Sequence, residues 1–301
     1  MGNDIQQTFY VGSDWLYYRI YSGYKTSDFI LTEIIRPLTE DLEREGLIRK
    51  WFFIRYSDPK HHLRVRFMLQ DKSGLDSIVY RIHDDLNQMV EQDLIWNIEI
   101  GTYQRELNRY GKNSMEFSES LFFYQSKVVV SFLSLIEGEE GEQMRWMFGL
   151  RMVDHLLDAF NYEIEDKLKL LYNLKIGFGN EFGMTRALKK QLDDKYRARR
   201  MEIEEFMSFT ETSQPIYAPF LNVLNSTNEL SNQIIREILK IYQSGRLEMQ
   251  LDIFLESHIH MLMNRIFRSK NRLNEMVSYD FLYRYYKSLS AKIKLGKASI
   301  N

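Results

Sequence analysis

Apolar and polar positions along this chain follow two periods, and the change between them falls near residue 111. Before it, short aromatic and β-branched runs are interleaved with amphipathic stretches. Trp15 to Tyr21 (WLYYRIY) and Lys50 to Tyr56 (KWFFIRY) have strand composition. Thr26-Ser27-Asp28 offers N-cap oxygens for an apolar-periodic helix reaching about Glu45, which Pro37 should kink or split. Ser57-Asp58-Pro59-Lys60 is turn chemistry, after which His62 to Leu69 alternates apolar and polar residues as a strand does. Gly74 to Gln92 carries a helical stripe of Leu75, Ile78, Val79, Ile82, Leu86 and Met89. Ile95 to Arg105 reads as a fourth strand. The order βαββαβ is that of a ferredoxin-like unit.

Past Gly111 the helical period takes over. Ser114 to Ile136 reads as a helix with Glu116 and Glu119 in its first turns, where the helix dipole favours acids. Gly138 to Gly141 is expected to break the chain. Helical patterns then cover roughly 142–175, 184–209, 227–244, 247–268 and 272–290, with Ile176 to Gly183 (IGFGNEFG) and Thr210 to Pro219 as loops. The pattern therefore predicts an α+β chain: an N-terminal sheet region over 1–111 and a mostly helical region over 112–301, read as one integrated domain.

Composition narrows the function classes. The 301 residues carry a formal charge of -2, so no global field points to nucleic acid or a membrane surface. Cysteine is absent, which removes disulfides, thiolate metal sites and cysteine nucleophiles. The start MGNDIQQTFYVGSDW lacks both a signal-peptide layout and a myristoylation pattern, and no apolar run reaches membrane-spanning length. A cytoplasmic protein without membrane insertion is expected. Homo-oligomerisation stays open.

Three segments could carry chemistry. Arg64 and Arg66, two apart on a strand, share one face while Leu63, Val65 and Phe67 take the other. That face is either solvated or a pair of forks for carboxylates. Glu106 and Arg109, three apart, share a face if the strand gives way to a helical turn; they make a surface ion pair or part of an anion pocket. His258 and His260 point in different directions from a helix and cannot share a metal, while His260 and Asn264 share a face with Phe267. His260 is either structural or a proton carrier. No nucleotide-binding, hydrolase-elbow or metal motif is present, and no cofactor is expected. Lys189 to Arg200 looks like a charged helix face balanced by Glu202, Glu204 and Glu205. From Arg265 to Asn301 nine Lys/Arg stand against two Asp/Glu, a net of +7, which is a solvated surface or an attraction for an acidic peptide or tRNA.

These segments occur in a recognisable order. The phrases WLYYRIYSG, FFIRYSDPKHHLRVRF, TYQRELNRYG, SESLFFYQS and HIHMLMNR followed by Glu275, from Trp15 to about Tyr286, resemble the C-terminal, glutamate-eliminating domain of lantibiotic dehydratases, also called the thiopeptide-type bacteriocin biosynthesis domain. In the full-length enzymes one domain esterifies Ser or Thr with glutamate from glutamyl-tRNA, and the C-terminal domain expels it to leave a dehydroamino acid. The resemblance implies a site at Arg64, Arg66, Glu106, Arg109 and His260. Arginines would receive the leaving carboxylate and the enolate-like oxygen, Glu106 would orient one of them, and His260 would carry a proton. Where the family usually has an Asp-Ser pair, this chain has Gln125-Ser126, which loses a charge near the pocket that the resemblance implies.

The resemblance further implies a precursor-peptide substrate, a separate glutamylating dehydratase subunit and no direct contact with nucleic acid. Stand-alone relatives also include thiopeptide [4+2] pyridine-forming cyclases. A non-catalytic peptide-binding or scaffold subunit is the third reading. Retention of the arginines favours elimination.

Overall fold

The computed structural model describes residues 5–210, 212 and 215–296. A two-residue ladder pairs Thr8–Phe9 (β1) with Tyr103–Gln104 (β6). The main sheet is built from Trp15–Ser22 (β2), Ile48–Tyr56 (β3), His62–Leu69 (β4) and Ile95–Ile100 (β5) in the order β3-β4-β2-β5, every pair antiparallel. This is the ferredoxin-like order that the alternation predicts. Leu63, Val65 and Phe67 are fully buried on one face of β4, as strand periodicity requires. The connecting helix Leu75–Glu91 (α3) buries Ile78, Ile82, Leu86 and Met89 of its predicted stripe.

The first connection is one continuous helical stretch that widens just before Pro37 rather than splitting there. Tyr24–Phe29 (α1) and Arg36–Arg44 (α2) flank a π-helical turn over Ile30–Ile35, and the Arg36 N–H reaches back to Leu31 O. Proline has no N–H to continue the ordinary ladder, so the wider turn is placed next to it.

Helices form the rest: Leu107–Tyr110 (α4), Met115–Leu133 (α5), Gly138–Ala159 (α6), Ile164–Glu181 (α7), Arg186–Ser208 (α8), Ala218–Asn225 (α9), Asn228–Gln243 (α10), Leu251–Ile266 (α11) and Asn271–Lys294 (α12). Side chains of α5 and α11 cover the outer edge of β3. Ser126 Oγ accepts from the Phe53 N–H (3.3 Å), and Arg265 Nε donates to the Phe53 carbonyl (3.0 Å). Asn264 accepts from the Arg55 N–H (2.9 Å) and donates to the Arg55 carbonyl (2.8 Å), so one side-chain amide stands in for a neighbouring strand. Open β edges need such cover.

Several predicted boundaries move. The fourth strand ends at Ile100 rather than Arg105, because Gly101 and Thr102 turn the chain so that Tyr103 pairs with β1. Gly138 to Gly141 begins α6 instead of breaking the chain, and 142–175 divides at Phe160–Glu163, where a capping box on Glu163 starts α7. The glycine-rich 176–183 is largely helical, not a loop: α7 continues to Glu181 with Gly179 buried against Met184. Burial of Phe178 and Gly179 offsets the roughly 1 kcal/mol that each helical glycine costs, although Gly177 itself is exposed. The expected loop at 210–219 holds a 3-10 turn over Pro215–Tyr217 and the start of α9; residues 211, 213 and 214 lie outside the described residues.

The basic C-terminal excess is taken up by acids elsewhere in the fold. Arg268 meets Glu142, Arg272 meets Glu181, Arg284 meets Asp193 and Asp280, Lys292 meets Glu204 and Lys294 meets Glu165. Arg265 is instead wholly buried, and Lys297 lies outside the described residues.

Candidate functional site

The polar face of β4 does not stay in water. Register sets Arg66 between Tyr17 of β2 and Phe52 of β3, and the turn into β6 brings Tyr103 over it. The Arg66 guanidinium lies 4.7, 5.0 and 4.8 Å from the centroids of these three rings and is 8% exposed. The rings supply cation–π attraction but no lone pairs. Its Nε and Nη1 donate to nothing among the described residues, and burial pushes its pKa down. A guanidinium nonetheless stays protonated near neutrality. The result is a buried cation with unmet donors.

Arg66 lines a small cleft together with Glu106, Tyr110, Phe122, Met261 and Arg265, at the seam between the sheet, α4, α5 and α11. Arg64, two residues along β4, is half-buried with its guanidinium 3.5 Å from the centre of the Tyr56 ring. Its Nε donates to His62 Nε2 at 3.0 Å, and His62 Nδ1 sits 2.8 Å from the Lys60 carbonyl. This pattern requires neutral His62 with its proton on Nδ1, in keeping with a pKa lowered mainly by burial.

Glu106 occupies the position before the single turn of α4, and Arg109 Nε lies 3.2 Å from its carboxylate. The pair is half-exposed, so as an ion pair it contributes only about 0.5 kcal/mol. Its position is what differs from an ordinary surface pair, since Glu106 faces the cleft that holds Arg66. The turn is held from below by Gly111, at φ 74° and ψ 153°, where a Cβ would run into the Glu248 carboxylate. That carboxylate accepts from the Lys112 and Asn113 N–H groups and from Asn113 Nδ2.

His258 and His260 diverge as helical spacing requires. His258 is fully buried among Tyr110, Phe122 and Phe254, with Nε2 3.2 Å from Ser118 Oγ, and burial lowers its pKa to about 3. His260 is about one-third exposed and turns Nδ1 to Glu275 on α12, 2.9 Å away. Glu275 is wholly buried and also accepts from Tyr279 Oη (3.0 Å). A proton on His260 Nδ1 leaves Nε2 as the basic nitrogen. His260 does not line the cleft, although Met261, the next residue, does. Of the five residues singled out by sequence, Arg66 and Glu106 share the cleft. Arg64 and Arg109 adjoin those two, and His260 belongs to the α11–α12 contact.

Two features had no local signal. Glu119, read as an acid favoured by the helix dipole, is 1% exposed and clamps Arg105 at 2.8 and 2.7 Å while accepting from Tyr103 Oη at 2.8 Å. It fixes the ring that roofs Arg66. Arg265, visible only as the end of HIHMLMNR, proves to be a second buried cation of the cleft, with a pKa lowered to about 9 by burial. Its Nη1 donates to Gln125 Oε1 at 3.1 Å, so the side chain facing it there is a neutral amide. Among the described residues no group of His, Asp and Glu side chains is arranged to hold a metal ion, and no helix is long and apolar enough to cross a membrane.

Fold and cleft together define an α+β protein suited to receive an anionic group where a ferredoxin-like sheet meets a helical bundle. The chain belongs to the lantibiotic biosynthesis dehydratase C-terminal family, whose model matches residues 15–286. It is 28% identical over 163 residues to the subtilin biosynthesis protein SpaB of Bacillus subtilis, and 27% identical over 126 residues to the nisin biosynthesis protein NisB of Lactococcus lactis subsp. lactis. These stretches are 52% and 42% of this chain but only 15% and 12% of the relatives. Among solved structures, the tRNA-dependent lantibiotic dehydratase MibB from Microbispora sp. 107891 matches 94% of this chain with 29% of its own length, at TM-score 0.72 and 20% identity. The pyridine synthase TbtD from thiomuracin biosynthesis matches 92% of this chain and 100% of its own, at TM-score 0.63 and 11% identity.

Proposed function

We propose that this protein expels glutamate from glutamylated Ser or Thr residues of a ribosomally made precursor peptide, as the elimination component of a split lantibiotic dehydratase. The observation that carries the reading is Arg66: a buried guanidinium with unmet N–H donors, lining a cleft beside Glu106. In a β-elimination the Cα proton is removed, the Cα–Cβ double bond forms, and the Cβ–O bond breaks with its electron pair leaving on the carboxylate oxygen. Negative charge therefore develops at the peptide carbonyl oxygen and then at the departing carboxylate. Donors fixed in advance where charge develops lower such a barrier, typically by about 3 kcal/mol each.

Within this reading Arg66 receives the carboxylate, and Arg64, held by neutral His62, serves the enolate oxygen. Glu106 orients Arg109. The resemblance gives the proton-carrying role to His260, which here turns Nδ1 to Glu275 and stands beside the cleft-lining Met261 rather than in the cleft itself. A precursor peptide and a separate glutamylating subunit are the implied partners, in the cytoplasm, with no cofactor and no direct contact with tRNA. The test is to incubate the purified protein with a glutamylated precursor peptide and follow loss of glutamic acid by mass spectrometry. A peptide that stays unchanged sinks the proposal.

A second reading, thiopeptide [4+2] pyridine formation, is favoured by one observation: the match to TbtD runs over that protein's whole length. A peptide already carrying dehydroalanines discriminates, since a cyclase consumes it and an eliminase does not.

A further inference from the structure

Five arginines are buried among the described residues: Arg55, Arg66, Arg105, Arg145 and Arg265. Three have a carboxylate at hydrogen-bond distance. Arg55 and Arg145 share Asp28 at 2.7 and 2.6 Å, and Arg105 is clamped by Glu119. Burying a cation without its counter-charge is costly, and elsewhere this fold avoids it. Arg66 and Arg265 are the exceptions, and both line the same cleft.

Arg265 has no exposure at all. Its Nε bonds the Phe53 carbonyl, and its Nη1 bonds Met261 O and Gln125 Oε1, both at 3.1 Å. Every one of these acceptors is neutral, and Nη2 has no acceptor among the described residues. Gln125 is decisive because a carboxylate at that distance would cancel the guanidinium's charge, whereas the amide satisfies one donor and leaves the charge in place.

We propose that the cleft takes a ligand bearing two anionic groups, and that Gln125, by meeting Arg265 with a neutral amide, is the residue that keeps the second positive charge available to it. The inference rests on reading the cleft as the anion site of an elimination. It fits that chemistry: a glutamyl ester carries one free carboxylate, and a second appears only as the Cβ–O bond breaks, so two cations match the departing group better than the bound ester.

The test is titration calorimetry of the full chain with glutarate, a five-carbon dicarboxylate, and with butyrate as its monocarboxylate counterpart. Wild type should bind glutarate about tenfold more tightly than butyrate. Gln125→Glu should lower glutarate affinity about tenfold and leave butyrate unchanged, because only the second charge is cancelled. Gln125→Leu, which removes the amide and adds no charge, should retain the preference, and Arg66→Gln should weaken both ligands. Near-UV circular dichroism checks that each variant is folded. Equal affinities in wild type, or glutarate binding unmoved by Gln125→Glu in a folded protein, overturns the inference and leaves the single-anion site standing. Failure of wild type to bind either ligand overturns both the inference and the anion-site reading beneath it.

Discussion

Arg64 and Arg66 stand two positions apart on one strand, and the structure treats them differently. Arg64 lies against Tyr56 and His62 and keeps partial access to water, whereas Arg66 is enclosed by rings from β2, β3 and β6. Strand periodicity made their common face legible. It could not reveal the enclosure, because Tyr17, Phe52 and Tyr103 come from three other strands at sequence separations of 49, 14 and 37 residues. The Arg105–Glu119 clamp was hidden for the same reason. If Arg66 receives the leaving carboxylate, Arg66→Gln should lower the elimination rate about 100-fold in a protein that remains folded, measured by single-turnover mass spectrometry. Arg64→Gln, at a wetter position, should cost less than Arg66→Gln in the same assay. A reversed order would reassign the principal cation.

At the scale of elements, α11 is the member that joins the site to the scaffold. Its Asn264 and Arg265 hold the β3 edge while His260 reaches α12. Helical spacing placed His260 and Asn264 on one side; only the fold showed that Asn264 serves the sheet. Asn264→Ala should leave the Arg55 N–H and carbonyl without that partner and cost about 1–3 kcal/mol, seen as a lower midpoint in urea unfolding. The turn before α5 gives a second expectation. At Gly111 both the backbone angles and the approach of Glu248 exclude a side chain, so Gly111→Ala should destabilise by about 1–3 kcal/mol. If the chain eliminates glutamate as proposed, that rate should fall with it, since Glu106 and Arg109 lie on the turn that Gly111 closes. Unchanged melting and turnover would count against the packing described here. The turn residue itself was legible as a glycine after Tyr110, but its contact with Glu248, 137 positions away, was not.

For the whole molecule, the split sheet and the helical remainder could be read from hydrophobic period, while helix ends set by tertiary burial, such as α7 running through its glycines, could not. Burial also sets a response to acid. His61 and His258 are held to pKa values of about 4 and about 3, in each case chiefly by burial. In the unfolded chain both titrate near ~6.5. Between that value and the folded ones the unfolded state binds more protons, so stability is full above about pH 6.5 and falls as pH drops toward 4. The slope is about 1.4 kcal/mol per pH unit for each such proton. Thermal midpoints from pH 7 to pH 4.5 should decline accordingly, and His258→Gln should flatten the decline by one proton's share.

The strand order has a consequence for association. One edge of the sheet, at β3, is closed by side chains of the same molecule. The other, at β5, has no strand beside it among the described residues and carries exposed Trp96 and Ile100. Such a sheet can grow in one direction only. Two copies meeting through their β5 strands would use up both open edges and generate a closed two-fold pair with nothing left to propagate. Pairing through this edge of the main sheet would therefore end at two, where a sheet open on both sides would run on into a fibre.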